Sequence, residues 1–210
     1  MRHERKYKID PLHLPVVHEV LRQHPGSFRT IFPDRQINNI YFDTPGLTAY
    51  KDNVMGIAER KKYRVRWYGD DPLEVQQPVL EVKIKNNELG WKESQQMEGF
   101  DWNNLMELAR RVGRMTKKME PLQPVLMNAY RRSYYGTANG QYRITIDHQL
   151  RFFSLLQARR FTRFQISEPV VIVELKYAAE LDEAAEEIRQ YIPFRQTKSS
   201  KYVTGVDLFA

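Results

Sequence analysis

Five stretches of this chain alternate a charged side chain with an aliphatic or aromatic one, and no other feature of the sequence constrains the fold as much. The clearest is Leu80-Glu81-Val82-Lys83-Ile84-Lys85. Successive side chains of a β-strand point to opposite faces, so a strand here puts Glu81, Lys83 and Lys85 on one side and Leu80, Val82 and Ile84 on the other. The pattern returns at Arg2-x-Glu4-x-Lys6, Arg64-x-Arg66, Arg143-x-Thr145-x-Asp147 and Glu174-x-Lys176. A fold for this chain has to give the charged faces a common environment and the apolar faces a cover.

Composition bounds the partners. With 210 residues the chain is long enough to bury a core without disulfides or a structural metal, and a single unit over residues 1–210 is expected. A net charge of +7 suggests an anionic partner but does not distinguish nucleic acid, a membrane surface and a small polyanion. The absence of cysteine excludes thiolate zinc sites, redox motifs and cysteine nucleophiles. Met1-Arg2-His3-Glu4-Arg5-Lys6 has no apolar signal-like core, and no stretch approaches the ~20 apolar residues of a membrane span. A cytoplasmic protein without a membrane segment of its own is expected.

In chain order, residues 2–9 read as a strand. Asp10-Pro11 caps a helix running to about His24, with Leu14, Val17, Val20 and Leu21 at helical spacing. His13, His18 and His24 read as surface histidines. Strands are predicted over 36–43, the second half of 56–68, 78–85 and its hairpin partner 91–97, then 125–135, 142–147, 150–153 and 169–177. Asp101 caps a helix to about Lys118, and a third helix is expected over 180–191, ended by Pro193. The run Arg159-Arg160-Phe161-Thr162-Arg163 reads as a solvated edge. About eight strands joined mostly as hairpins, with three helices, favour an α+β fold on a largely antiparallel sheet.

One such strand alone would turn its charges to water. Together they argue otherwise, because Val65, Trp67, Leu80, Val82, Ile84, Ile144, Ile146, Val173 and Leu175 need a cover that amphipathic helices outside a sheet would supply. A closed sheet of about eight strands can hold a small ligand in its lumen. A lumen lined by lysine and arginine repels itself unless an anion neutralises it. Glu4, Glu81, Asp147 and Glu174, interspersed among those bases, would oppose the anion unless a divalent metal sat between carboxylate and phosphate oxygens. The ligand this pattern implies is a chain of phosphates with a cation.

Eight segments in consistent order resemble the VTC domain, the polyphosphate polymerase branch of the triphosphate tunnel metalloenzymes. They are Arg2-His-Glu4-Arg-Lys6-Tyr7, Asn39-Ile-Tyr41-Phe42-Asp43-Thr44, Lys62-Tyr-Arg64-Val-Arg66-Trp-Tyr68, Leu80-Glu81-Val-Lys83, Tyr130-Arg-Arg132-Ser, Arg143-Ile-Thr-Ile-Asp147, Val173-Glu174-Leu-Lys176 and Ser200-Lys201-Tyr202. The resemblance implies a closed antiparallel eight-stranded β-barrel, a tunnel with helices packed outside, that binds ATP, triphosphate or polyphosphate with Mg²⁺ or Mn²⁺. It implies Lys6, Arg64, Arg66, Lys83, Arg132 and Lys201 as the catalytic phosphate-binding bases, with Lys201 near the mouth. Arg131, Lys85, Arg143, Lys176, Lys198 and Ser200 are further candidates for substrate contact; Arg131 and Arg132 would exchange roles on a one-residue shift of register. Glu174 would be the principal metal ligand, with Glu4 and Glu81 beside it, although Glu81 could instead pair a neighbouring arginine. The related hydrolytic branch begins Glu-x-Glu-x-Lys, whereas the first position here is Arg2, which agrees with the polymerase branch. Export of a polymer would fall to a membrane partner. The implied activity is transfer of the γ-phosphoryl of ATP to polyphosphate; triphosphate hydrolysis and non-catalytic polyphosphate binding are the alternatives. Nucleic acid is disfavoured, since the aromatic residues do not interleave with bases as stacking platforms would. Trp67 and Trp91 read as packing residues, and Tyr41, Asp43 and Tyr50 as structural.

Overall fold

The computed structural model describes residues 2–87, 89–156 and 165–210. The alternating stretches are strands: β1 (Arg2–Ile9), β2 (Arg29–Asp43), β3 (Glu59–Tyr68), β4 (Val79–Asn86), β5 (Leu89–Gln96), β6 (Gln123–Gly136), β7 (Tyr142–Ser154), β8 (Gln165–Glu168) and β9 (Val171–Ala178). They form one sheet in the order β6-β2-β3-β4-β5-β1-β9-β7-β8, and a further β6–β7 pairing joins its ends into a ring of eight strands with β8 appended to β7. Every strand pairing among the described residues is antiparallel. Among the described residues the ring is thinnest between β1 and β5, which share the register pair Arg2↔Gly90.

Helices α1 (Leu14–Gln23), α2 (Thr48–Val54), α3 (Leu105–Thr116), α4 (Ala185–Arg189) and α5 (Lys201–Asp207) complete the fold. On one side of the ring Val65, Trp67, Leu80, Val82 and Ile84 pack under Leu108, Ala109 and Val112 of α3. On the other, Ile144, Ile146, Val173 and Leu175 pack under Val17 and Leu21 of α1 and Ile188 of α4. Burial of each large aliphatic side chain contributes roughly 1.5–3 kcal/mol. Reversing the strands would forfeit this and leave unpaired charges under the helices at several kcal/mol each. The apolar faces therefore point outward to the helices and the charged faces inward, as the alternation predicts.

Several sequence expectations are corrected. The strand read over 36–43 begins at Arg29, and the segments 142–147 and 150–153 are one strand, β7, with Gln149 at a left-handed φ of 54°. The helix expected over 180–191 is a turn at Ala179–Leu181 followed by the short α4, because Asp182 accepts hydrogen bonds from Tyr177 (2.6 Å) and Arg5 (2.9 Å). His24 is buried rather than on the surface, its ring nitrogens engaged by the Ile188 carbonyl and the Gly26 amide. The basic run 159–163 lies outside the described residues.

The largest correction is α5. It does not lie outside the sheet like α1 and α3. Leu126, Asn128, Tyr130 and Arg132 alternate onto the inner face of β6, and Leu126 and Phe152 touch Gly205 of α5 so closely that a β-carbon there would lie 2.7 Å from the Phe152 ring. Tyr202 and Val206 are buried with Ile37, Tyr41, Leu150 and Ile172. One end of the ring is thus filled by apolar side chains and a helix, leaving a cavity of about 10 Å³ between Lys8, Phe152, Ile172 and Lys201.

Candidate functional site

Strand register determines which charged residues meet inside the ring. In the β1–β9 ladder Glu4 is opposite Lys176 and Lys6 opposite Glu174, so the two glutamates are diagonal neighbours on one face. On the other side of β9, Thr145 of β7 is opposite Glu174, and Asp147 follows two residues on, on the same face. On the far wall Arg64 of β3 is opposite Glu81 of β4, and Lys62 opposite Lys83.

The β1–β9–β7 wall is a continuous ion network. Arg132 donates to both oxygens of Asp147 (2.5 and 2.6 Å) and to Glu174 (3.3 Å). Lys201 reaches Asp147 at 2.5 Å and lies 3.7 Å from Glu174. Lys6 lies between Glu4 (3.1 Å) and Glu174 (3.4 Å), and Lys176 donates to Glu174 at 2.7 Å. Burial raises the pKa of Glu174, but Lys176, Lys6, Lys201 and Arg132 together hold it well below the usual carboxylate range. Burial likewise opposes ionisation of Glu4, and Lys6 and Lys83 overcome it.

The β3–β4 wall is poorer in carboxylate. Glu81 is its buried acid, bound by Arg64 at 2.5 Å and by Lys92 at 2.5 Å. Among the described residues Lys62 donates only to neutral oxygens, the Asn53 amide (2.5 Å) and the Ser200 hydroxyl (2.8 Å). Burial first, and then Lys83, Lys6, Arg60 and Lys85, push its pKa down to about 6. Lys83, held by Glu4 at 2.8 Å, is lowered to about 8 by burial despite that partner. Between the walls, Arg66 donates to Asn39, which donates to Asn128 (both 2.8 Å), while the Asn128 amide NH₂ and the Thr145 hydroxyl are buried without a partner among the described residues.

The ring interior thus gathers Lys6, Arg64, Arg66, Lys83, Arg132 and Lys201, as the sequence predicts, together with Lys85, Lys176, Glu4, Glu81 and Glu174 on the same faces. Other placements differ from expectation or sharpen it. Arg131 points away from Arg132, to the outer face, and sits 3.8 Å from Asp70, which removes the ambiguity between the two arginines. Lys201 is deep inside, at the first turn of α5, rather than near a mouth. Ser200 is occupied as the N-cap of α5 and as acceptor for Lys62. Lys198 is exposed, outside the ionic network. Arg143 lies at the rim, 5.9 Å from the Phe32 ring centroid. Glu81 shares no cation with Glu4 or Glu174 among the described ion pairs, so of its two readings the structure displays the arginine-partner one.

Lys62, Asn39, Asn128 and Lys92 belong to the interior without having been singled out. Lys62 was visible two residues before Arg64 on the same strand face; the asparagines carried no charge signal.

No three acidic or histidine side chains among the described residues are grouped closely enough to hold a metal alone. The adjacent ionised carboxylates Glu4 and Glu174 are hard oxygen donors, and Mg²⁺ and Mn²⁺ are commonly held by one or two carboxylates plus substrate phosphates. The residues fit an ion shared with substrate.

An antiparallel ring whose interior is crowded with cations and a few carboxylates is the tunnel architecture that the family resemblance implies. The chain belongs to the VTC domain family, whose model matches residues 1–210. No curated protein matches the sequence significantly. Among solved structures, it is similar to a proposed adenylate cyclase of Bacillus halodurans (13% identity over 97% of this chain and 96% of that one, TM-score 0.58). It is also similar to a proposed adenylate cyclase of Vibrio parahaemolyticus (14%, 96% and 95%, 0.56). A third is an adenylyl cyclase-like protein of Hippeastrum with a dominant triphosphatase activity (15%, 99% and 96%, 0.52). At these identities the likeness concerns the fold.

Proposed function

We propose that this protein is a metal-dependent phosphotransferase whose closed β-barrel interior binds phosphate chains, adding the γ-phosphoryl of ATP to polyphosphate. The observation that carries the reading is the cation excess on the β3–β4 wall, where Lys62, buried among other cations and bonded only to neutral oxygens among the described residues, is driven towards neutrality. A polyanion would restore its charge and satisfy Asn128 and Thr145.

Phosphoryl transfer asks a protein mainly for in-line positioning and charge neutralisation, which fixed bases supply without a side-chain nucleophile. Arg64, Arg66, Lys83 and Lys6 would hold the donor's phosphates from β3, β4 and β1. Arg132 and Lys201, each fixed by Asp147, would hold them from the opposite wall. Glu81 keeps Arg64 oriented. Glu174 and Glu4 would hold the divalent ion, which when bound would withdraw charge from the phosphate oxygens.

A second reading, hydrolysis of triphosphate, draws on α5. A growing polymer needs an exit, and the α5 end of the ring is packed with Leu126, Phe152, Tyr202 and Val206. Incubation with ATP and Mn²⁺ separates the two: polymer on a gel supports the polymerase, and phosphate release without chain growth would replace it by the hydrolase.

A further inference from the structure

Outside the ring, between α2, the start of β3 and the loop from α3 to β6, the described residues line a cavity of about 240 Å³. Clefts of roughly 300–1,000 Å³ take drug-sized molecules, so this one suits a smaller ligand. Glu59, Lys61 and Tyr63 alternate onto the outer face of β3, away from Lys62 and Arg64, and reach the cavity from there. Tyr63 is only 9% exposed, yet its hydroxyl makes no hydrogen bond among the described residues. A hydroxyl buried without a partner is costly, and this one opens onto the cavity. Burial raises its pKa, so it stays a donor, with Lys118 beside it.

Charges of both signs face this space without neutralising one another. Lys118 pairs with Glu120 at 2.6 Å, but the side chains of Asp52, Glu59 and Lys61 make no hydrogen bond or ion pair among the described residues. Asp43 also reaches the cavity, but it is already saturated by the amides of Thr44, Ala49 and Tyr50 and by the Tyr202 hydroxyl. A simple anion would be opposed by Asp52 and Glu59, and a simple cation by Lys61 and Lys118. A zwitterion meets both. The apolar part of the wall is Ala49 and Leu122, each almost wholly buried. We propose that this cavity binds a free aliphatic amino acid, its carboxylate on Tyr63 and Lys118, its ammonium group towards Asp52 and Glu59, and its side chain against Ala49 and Leu122. The site lies on the opposite side of β3 from the ring interior, and it stands whether or not phosphates are held there.

The test is NMR titration of the full chain with leucine and with its two singly charged analogues, 4-methylpentanoate, which lacks the ammonium group, and isopentylamine, which lacks the carboxylate. Leucine is expected to bind about tenfold or more tightly than either, the loss of one charged hydrogen-bonding group in each case. Tyr63→Phe keeps the ring and its packing, so the protein should melt as wild type does while leucine binds several-fold more weakly. Asp52→Asn, at a partly exposed side chain, should narrow the preference for leucine over 4-methylpentanoate. No saturable binding of leucine, equal binding of the three compounds, or wild-type affinity in both variants would overturn the assignment.

Discussion

The two walls of the ring carry the same kinds of side chain in different ratio. On β1, β9 and β7, Glu4, Glu174 and Asp147 share Lys6, Lys176, Arg132 and Lys201 in one network, and each carboxylate contacts at least two cations. On β3 and β4 one buried acid, Glu81, serves Arg64, Arg66 and Lys92, while Lys62 has only neutral acceptors among the described residues. The first wall can surrender carboxylate oxygens to a metal because its acids are plentiful. The second has positive charge to spare and gains most from an anion. A phosphate chain with a divalent ion would sit with its metal towards the first wall and its bare oxygens towards the second.

Removing the central acid of the first wall is the harshest way to break this division. Glu174→Gln is expected to lower metal-dependent turnover a hundredfold or more, on the order of losing the principal ligand of a catalytic ion. Polyphosphate binding measured in EDTA should hold or tighten, since a negative charge leaves the site. Turnover near the wild-type rate would remove Glu174 from the metal role. Glu81→Gln should instead change phosphate affinity through Arg64 and leave the metal requirement intact.

On the second wall the expected effect is a pH dependence. The free-protein pKa of Lys62 is about 6, so the side chain is mostly neutral at pH 7. A bound phosphate oxygen favours the ammonium form and raises that pKa, so the complex holds an extra proton above pH 6. Full affinity is then present below pH 6 and falls as pH rises, by up to about tenfold per unit. Calorimetry with tripolyphosphate in buffers of different ionisation enthalpy should register proton uptake at pH 7. Lys62→Met should abolish that uptake, and comparison with wild type cancels the titration of the ligand. Identical uptake in both proteins would end the claim that Lys62 waits uncharged for the anion.

The walls were legible in the sequence because their signal is a period-2 pattern in residues as distinct as lysine and valine. The register between strands was not, and register separates Arg132, locked to Asp147, from Arg131, facing Asp70 on the outside. Nor was α5. Lys201-Tyr-Val-Thr-Gly-Val-Asp207 has β-branched residues and a glycine, a poor helix by propensity. It is helical because Ser200 caps it and because Tyr202 and Val206 find an apolar socket inside the ring, a tertiary effect no local pattern announces. The packing of Arg35 on Phe32, Tyr68 and Tyr134 was missed for a related reason: those aromatic residues come from three strands and meet only once the ring closes.

The ends of the ring give a smaller test. Gly205→Ala would push a methyl group into Leu126 and Phe152, both almost wholly buried and with little room to yield. Overpacking of this kind costs about 1–3 kcal/mol, which for a chain of this size lowers Tm by about 5 °C. An unchanged melting temperature would mean that α5 sits loosely enough in solution to give way, and the filled end would no longer count against a polymer's exit.

The smallest expected effect tests the register itself. Arg131→Ala removes an exposed guanidinium whose partner, Asp70, is 3.8 Å away and largely in solvent, so stability should change by no more than about 0.5 kcal/mol. Polyphosphate affinity should be unchanged. Arg132→Ala, one residue along, strips Asp147 and Glu174 of a buried cation and should cost both affinity and stability, by about 3–5 kcal/mol for the broken buried pair. Thermal melts and tripolyphosphate titrations of the two variants side by side read this contrast. Were Arg131→Ala the variant that loses phosphate, β6 would be turned by one residue and every inward assignment on it, Tyr130 and Asn128 included, would move to the outer face.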